Sequence, residues 1–192
     1  VQAMGVDLTK DGYLISLQFF TPQGAGGISD LDISKANSTI FQAEGRTIGE
    51  AVEKAKAGFH VIGFDVQPQK VDMVNQGHNY IGDVVDSDLK KIVEEGMLRA
   101  TTYFASVASC DCVCIAVPTP LDAHQQPDIS YVRSSAESIM PHMHRDMLVV
   151  LESTTYPGTT EELLRPILEQ GSGMKCGEDF YLGFSPERVN PG

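Results

Sequence analysis

Four apolar runs in this sequence stop at residues that could hold or turn over a polar ligand. Asp65 closes His60-Val61-Ile62-Gly63-Phe64, and Pro118-Thr119-Pro120 follow the run that ends in Val117. Ser153 and Thr154 come directly after Leu151-Glu152, and Glu187 follows Phe184-Ser185-Pro186. A carboxylate at a strand end can accept both hydroxyls of an adenosine ribose and would repel a 2′-phosphate, a preference for NAD over NADP. The other reading of Asp65 is a turn or helix-cap residue. Prolines 118 and 120 lack N–H donors and stiffen whatever rim they occupy, whether a floor under a nicotinamide ring or an ordinary strand-to-loop turn. Ser153 and Thr154 precede Tyr156-Pro157-Gly158-Thr159-Thr160, so a plain helix-capping arrangement also accounts for them. A lone Glu187 after Pro186 is ordinarily solvated. His142 and His144, on either side of Met143, read as surface residues.

The elements that must position these residues alternate. From about residue 47, strands and helices follow each other at the spacing of parallel βαβ units. The helix Thr47–Ala57 leads through Gly58 to the strand ending at Asp65. Helices are expected over 70–76, 87–95, 129–140 and 161–170, and strands over 99–102, 111–117, 147–151 and 180–184. In such a sheet, ligands bind at the carboxyl ends of the strands, which places Asp65, Val117 to Pro120, Ser153-Thr154 and Glu187 on one rim. The fold class expected is α/β, a Rossmann-like, doubly wound, mostly parallel sheet with an N-terminal β-hairpin appendage.

Residues 1–46 have a different texture. Ala3 to Asp7 and Tyr13 to Phe20 flank Thr9-Lys10-Asp11-Gly12, where Asp-Gly is a strong hairpin signal. A glycine-rich stretch at Gly24-Ala25-Gly26-Gly27 reads as a loop, because Asp30 and Asp32 follow it instead of an apolar helix. Ser38-Thr39-Ile40-Phe41 then precedes the Thr47 helix at the distance of a first Rossmann strand, and its apolar, β-branched composition suits a central parallel position. The expected division is 1–46 and 47–192.

Composition limits the partners. A net charge of −12 over 192 residues argues against nucleic acid and anionic membrane surfaces. No apolar run approaches the roughly 20 residues of a spanning helix, and no basic-then-apolar signal opens the sequence. Cys110, Cys112, Cys114 and Cys176 show no Cys-x-x-Cys spacing. They read as reduced core residues of a cytoplasmic protein, with no metal site.

The wording of the strand ends and their flanks carries a further signal. Lys56-Ala57-Gly58-Phe59-His60-Val61-Ile62-Gly63-Phe64-Asp65, Val117-Pro118-Thr119-Pro120-Leu121-Asp122, Leu151 to Thr160 and Phe184-Ser185-Pro186-Glu187-Arg188-Val189-Asn190-Pro191-Gly192 resemble the UDP-glucose/GDP-mannose dehydrogenase family. The similarity is to its UDP-N-acetylhexosamine branch and runs in order from about residue 51 to 192. It implies NAD as cofactor, a nucleotide-sugar substrate, and oxidation of the sugar C6 alcohol through an aldehyde to a uronic acid. By position, Asp65 would hold the adenosine ribose, and Val117, Pro118, Thr119, Pro120 and Ser153 would line the cofactor. Thr154 and Glu187 would sit at the reacting centre and position the hydrolytic water. The family's lysine, asparagine and nucleophilic cysteine would lie beyond Gly192, and Cys176 does not match that cysteine. The family's dimerising helix would lie there too, so a homo-oligomer is left open.

One family feature is overwritten. Counting back from Ala51-Val52-Glu53, the three glycines of the phosphate-binding turn fall at Gln42, Glu44 and Thr47. Side chains there obstruct approach of the pyrophosphate, and Glu44 adds like charge. At 4 Å and an effective dielectric near 20, such a charge pair costs about 4 kcal/mol before relaxation, roughly a thousandfold in affinity. Weak or lost NAD binding follows, as does a chain that does not catalyse alone. The first 50 residues resemble the N-terminal domain of Ger(x)C-type spore germination lipoproteins, through Met4 to Leu8, Asp11 to Phe20 and Ala43 to Ala51. On that resemblance the chain is a chimera of two partial domains, natural or engineered. Its alternative function is a germination-type binding or structural module without activity.

Overall fold

The computed structural model describes residues 5–9, 12–16, 39–42, 47–80, 84–120 and 127–185. The chain divides into two compact units, 1–37 and 38–192. In the first, β1 (Gly5–Thr9) and β2 (Gly12–Ser16) pair antiparallel, from Gly5 opposite Ser16 to Thr9 opposite Gly12. This is the hairpin that Lys10-Asp11-Gly12 signals. The Gly24–Gly27 stretch lies outside the described residues.

The second unit is built on a six-stranded parallel sheet. Its strands are β3 (Thr39–Gln42), β4 (His60–Phe64), β5 (Leu98–Thr101), β6 (Cys112–Ile115), β7 (Leu148–Leu151) and β8 (Tyr181–Phe184). They lie in the order β5-β4-β3-β6-β7-β8, which is the doubly wound dinucleotide-binding arrangement. As the sequence predicts for this segment, β3 fills the central slot. Ile40 pairs with Val61 on one side and Cys112 on the other. By texture β3 belongs with the first 46 residues; by pairing it is a member of the sheet.

Alternation along the strands sorts side chains to two cores. Val61 joins Ala51, Val52 and Ala55 of α1 (Thr47–Lys56), Val74 of α2 (Pro68–Asn75), and Leu89 and Ile92 of α3 (Asp86–Glu94). Ile62 and Phe64 face the opposite way. With Val113, Ile115, Val149 and Leu151 they meet Val132, Ala136 and Ile139 of α4 (Ser130–Ile139) and Leu168 of α5 (Arg165–Ser172). Burial on both faces explains why β7 is apolar at every position.

Two local features depart from simple expectation. The helix expected over 161–170 opens with a π turn, Thr159–Leu164, before α5. Pro166 cannot donate to the Glu162 carbonyl, and its ring would crowd that carbonyl in α geometry; the wider turn falls at this place. Gly77, just past α2, has φ +72°, and a Cβ there would stand 2.7 Å from Lys90 on α3. Only glycine lets that helix end approach its neighbour so closely.

His144 is not simply a surface residue. It is half-buried, with Nδ1 2.7 Å from the Arg145 carbonyl and Nε2 3.0 Å from the Cys110 carbonyl.

Candidate nucleotide site

The carboxyl ends of β4, β6 and β7 bring Asp65, Val117 to Pro120 and Ser153-Thr154 to one rim of the sheet. The Asp65 amide extends the β4–β5 ladder by donating to the Thr101 carbonyl at 3.3 Å. Its side chain is fixed on one flank. Oδ1 accepts the Gln67 amide at 2.8 Å, an Asx turn that directs the chain into α2, and Oδ2 lies 3.7 Å from Lys70 Nζ. Lys70 in turn stands 5.4 Å over the Tyr80 ring. Asp65 is therefore a turn residue, its carboxylate buried at the carboxyl end of β4. Lys70 is its counter-ion, a role sequence reasoning missed.

Ser153 does not cap the helix. It is 6 % exposed, and its hydroxyl accepts the Val117 amide at 2.8 Å while donating to the Val117 carbonyl at 2.8 Å. This closed pair ties the end of β6 to the end of β7. One residue on, Thr119 donates its hydroxyl to the Thr154 carbonyl at 2.7 Å. The turns at 117–120 and 153–154 are thus stitched into one ledge, with Pro118, Pro120 and Thr154 exposed upon it. No side chain caps that helix: Gly158 stands at the N-cap with φ +95°, and the Thr159 hydroxyl donates back to the Tyr156 carbonyl at 2.8 Å. Before α4, Asp128 Oδ1 accepts the Ser130 amide at 2.9 Å, and that bond holds its carboxyl below the usual range.

On the α1 side of the sheet, Lys54 reaches from the last turn of the helix to Glu152 Oε1 at 3.3 Å, 98 residues away in sequence. No local pattern announces this pair. Glu187 and Pro186 lie outside the described residues, as do residues 43–46 of the phosphate turn. Gln42 ends β3 opposite Gly63, and Thr47 opens α1, so four residues span the turn.

Three of the cysteines, Cys110, Cys114 and Cys176, are not poised as nucleophiles. Burial pushes the Cys110 thiol up to about 11 and raises Cys176 as well. Cys114 is raised by its hydrogen bond with Cys112 and by burial. Among the described residues no cluster of three or more His, Cys, Asp or Glu side chains could hold a metal ion, and no helix is long and apolar enough to cross a membrane.

Comparison with known proteins decides the ancestry. Residues 47–192 match the UDP-glucose/GDP-mannose dehydrogenase family, NAD binding domain. The chain belongs to that family. UDP-N-acetyl-D-glucosamine 6-dehydrogenase of Pseudomonas aeruginosa is 38 % identical over 132 residues, covering 69 % of this chain and 31 % of that protein. The structure of UDP-D-ManNAc dehydrogenase from Pyrococcus horikoshii aligns with a TM-score of 0.74 at 32 % identity, over 80 % of this chain and 37 % of its own. A ternary complex of GDP-mannose dehydrogenase from Pseudomonas aeruginosa gives 0.72 at 30 %, over 79 % and 36 %. The chain spans about a third of the length of these relatives, and the part it spans is the NAD-binding one. The family match begins at Thr47. These matches do not support a germination-type module; that resemblance of the first segment rests on its sequence wording alone.

NAD is the cofactor of this domain family, and the described rim fits it. Asp65 stands at the carboxyl end of β4, and the 117–120 ledge is tied to the end of β7 by Ser153. The sequence of the turn meant for the pyrophosphate, without glycine at 42, 44 or 47, fits poorly.

Proposed function

We propose that this chain is the NAD-binding portion of a UDP-N-acetylhexosamine 6-dehydrogenase, its phosphate turn overwritten, and that alone it does not turn over a nucleotide sugar. One observation supports this above others: the Ser153 and Thr119 bonds assemble the rim of this family's cofactor domain while the adjoining turn lacks every glycine that would receive phosphate. Bound in this rim, NAD would supply the hydride acceptor for oxidation at the sugar C6.

The chain's own residues have narrower tasks in this reading. Asp65 accepts the adenosine ribose hydroxyls, with Lys70 balancing its charge. Val117, Pro118, Thr119 and Pro120 wall the cofactor, and Ser153 holds that wall without touching substrate. Thr154 and Glu187 flank the reacting centre and orient water for the aldehyde step. In descent the chain divides at residues 46 and 47. The reading places the protein in the cytoplasm, where its four thiols stay reduced. It gives the protein no nucleic-acid partner and leaves self-association to the parts of the family fold that follow this domain.

Calorimetric titration with NAD tests the proposal. The expected result is no saturation in the micromolar range. A micromolar dissociation constant would overturn the argument from the phosphate turn, and turnover of UDP-N-acetylglucosamine by this chain would overturn the claim of inactivity.

A further inference from the structure

Three reactive groups from three elements meet on the α1 face of the sheet. Lys54 Nζ of α1 lies 3.7 Å from Cys114 Sγ of β6 and 3.3 Å from Glu152 Oε1, just beyond β7. The site is secluded: the Lys54 side chain is 24 % exposed, that of Glu152 15 %, and Cys114 only 4 %. A lysine near the end of a surface helix normally extends its ammonium into water. Here it is turned inward against a thiol, with a carboxylate at its back.

We propose that Lys54 and Cys114 are the site of an oxidative cross-link, a nitrogen–oxygen–sulfur bridge formed with dioxygen, with Glu152 taking the proton released. The balance is R–SH + R′–NH3+ + O2 → R–S–O–NH–R′ + H2O + H+. One S–H and two N–H bonds break, and one S–O and one O–N bond form. The four electrons lost by sulfur and nitrogen reduce both atoms of dioxygen, one staying in the bridge and the other leaving as water.

Geometry and access select this product over the usual ones. Cys112 is the only other thiol on this face of β6, and two residues apart in one strand is a poor separation for a disulfide. Burial shuts out bulky thiol partners but admits a small apolar oxidant. The neutral state of the Cys114 thiol, set by Cys112 and burial, slows attack on peroxide, which needs the thiolate, and so spares the sulfur from sulfinic acid. The bridge would fasten α1 to β6 across a long stretch of chain, which constrains the unfolded state as a disulfide does. The inference is independent of whether NAD binds.

The test compares the protein held anaerobically with the protein kept in air-saturated buffer without reductant, by peptide mass spectrometry. The expected product joins the Lys54 peptide to the Cys114 peptide with gain of one oxygen and loss of two hydrogens. It should revert with a phosphine reductant and raise the melting midpoint by on the order of 10 °C. Lys54→Arg and Cys114→Ser should each abolish it, while Cys112→Ser retains it. Lys54→Arg keeps the charge, so it decides the matter even if Cys114→Ser folds badly. A Cys112–Cys114 disulfide or a sulfinic acid as the sole product would overturn the proposal, as would a cross-link that survives Lys54→Arg.

Discussion

The two halves of the nucleotide site are built by different physics. The rim from Asp65 to Thr154 is held by the sheet: strand ends are set by buried cores, then joined by hydroxyl-to-backbone bonds at Ser153 and Thr119. The turn between Gln42 and Thr47 must instead offer bare backbone N–H groups at a helix start, and its usefulness depends on having no side chains. A parallel sheet accepts any apolar, β-branched strand in its central slot, so β3 can keep the fold intact. It cannot restore the glycines. Shape and binding chemistry are therefore separable here, because one rests on burial and the other on three specific positions.

Restoring the turn tests that separation most strongly. Gln42→Gly with Glu44→Gly and Thr47→Gly should strengthen NAD binding by about a thousandfold, as titration would show. Unchanged affinity would mean the rim, not the turn, limits binding.

The next effect is on the floor of the rim. Phe64 is 1 % exposed, and its ring centroid lies 5.5 Å from that of Phe104. Phe64→Ala should cost about 3–5 kcal/mol in urea unfolding. A loss under about 1 kcal/mol would show that the sheet does not hold Asp65 through this packing.

Ser153→Ala removes the partner of a buried backbone amide and should cost about 1–3 kcal/mol. Amide exchange at Val117 should accelerate while that at Val61 does not. Equal acceleration at both would deny the clamp a local role.

The smallest effect concerns pH. The Ser130 amide lowers the folded-state pKa of Asp128, so its contribution is present above the ordinary carboxylate value near 3.9 and fades as pH falls through the lowered one. Asp128→Ala should therefore lower the melting midpoint at pH 7 and leave it nearly unchanged once pH is well below the carboxylate range. An equal loss at both extremes would remove the carboxylate bond as the cause.

Much of this was legible along the chain. Apolar runs at βαβ spacing marked the elements, and Asp-Gly marked the hairpin. The composition of residues 38–41 marked a central strand. Each is a local signal, since side-chain period and turn chemistry act over a few residues. The capping reading of Ser153 came from Tyr156 to Thr160, which signals a helix start nearby, whereas its hydroxyl bonds Val117 just beyond β6. The π turn before α5 went unread, since Pro166 falls inside the helix expected over 161–170 and apolar spacing does not register a change of turn width.

Sequence alone determined the class of fold, the family wording at the strand ends and the absence of glycine at positions 42, 44 and 47. These depend on residue type at a position, and type is what a sequence states. Only the tertiary structure decided that Lys70 balances Asp65, that Ser153 locks Val117, and that Lys54 meets Glu152 and Cys114. Those partners lie between 5 and 98 residues apart, and what brings the distant ones together is sheet order and helix packing, which leave no periodic trace in the chain.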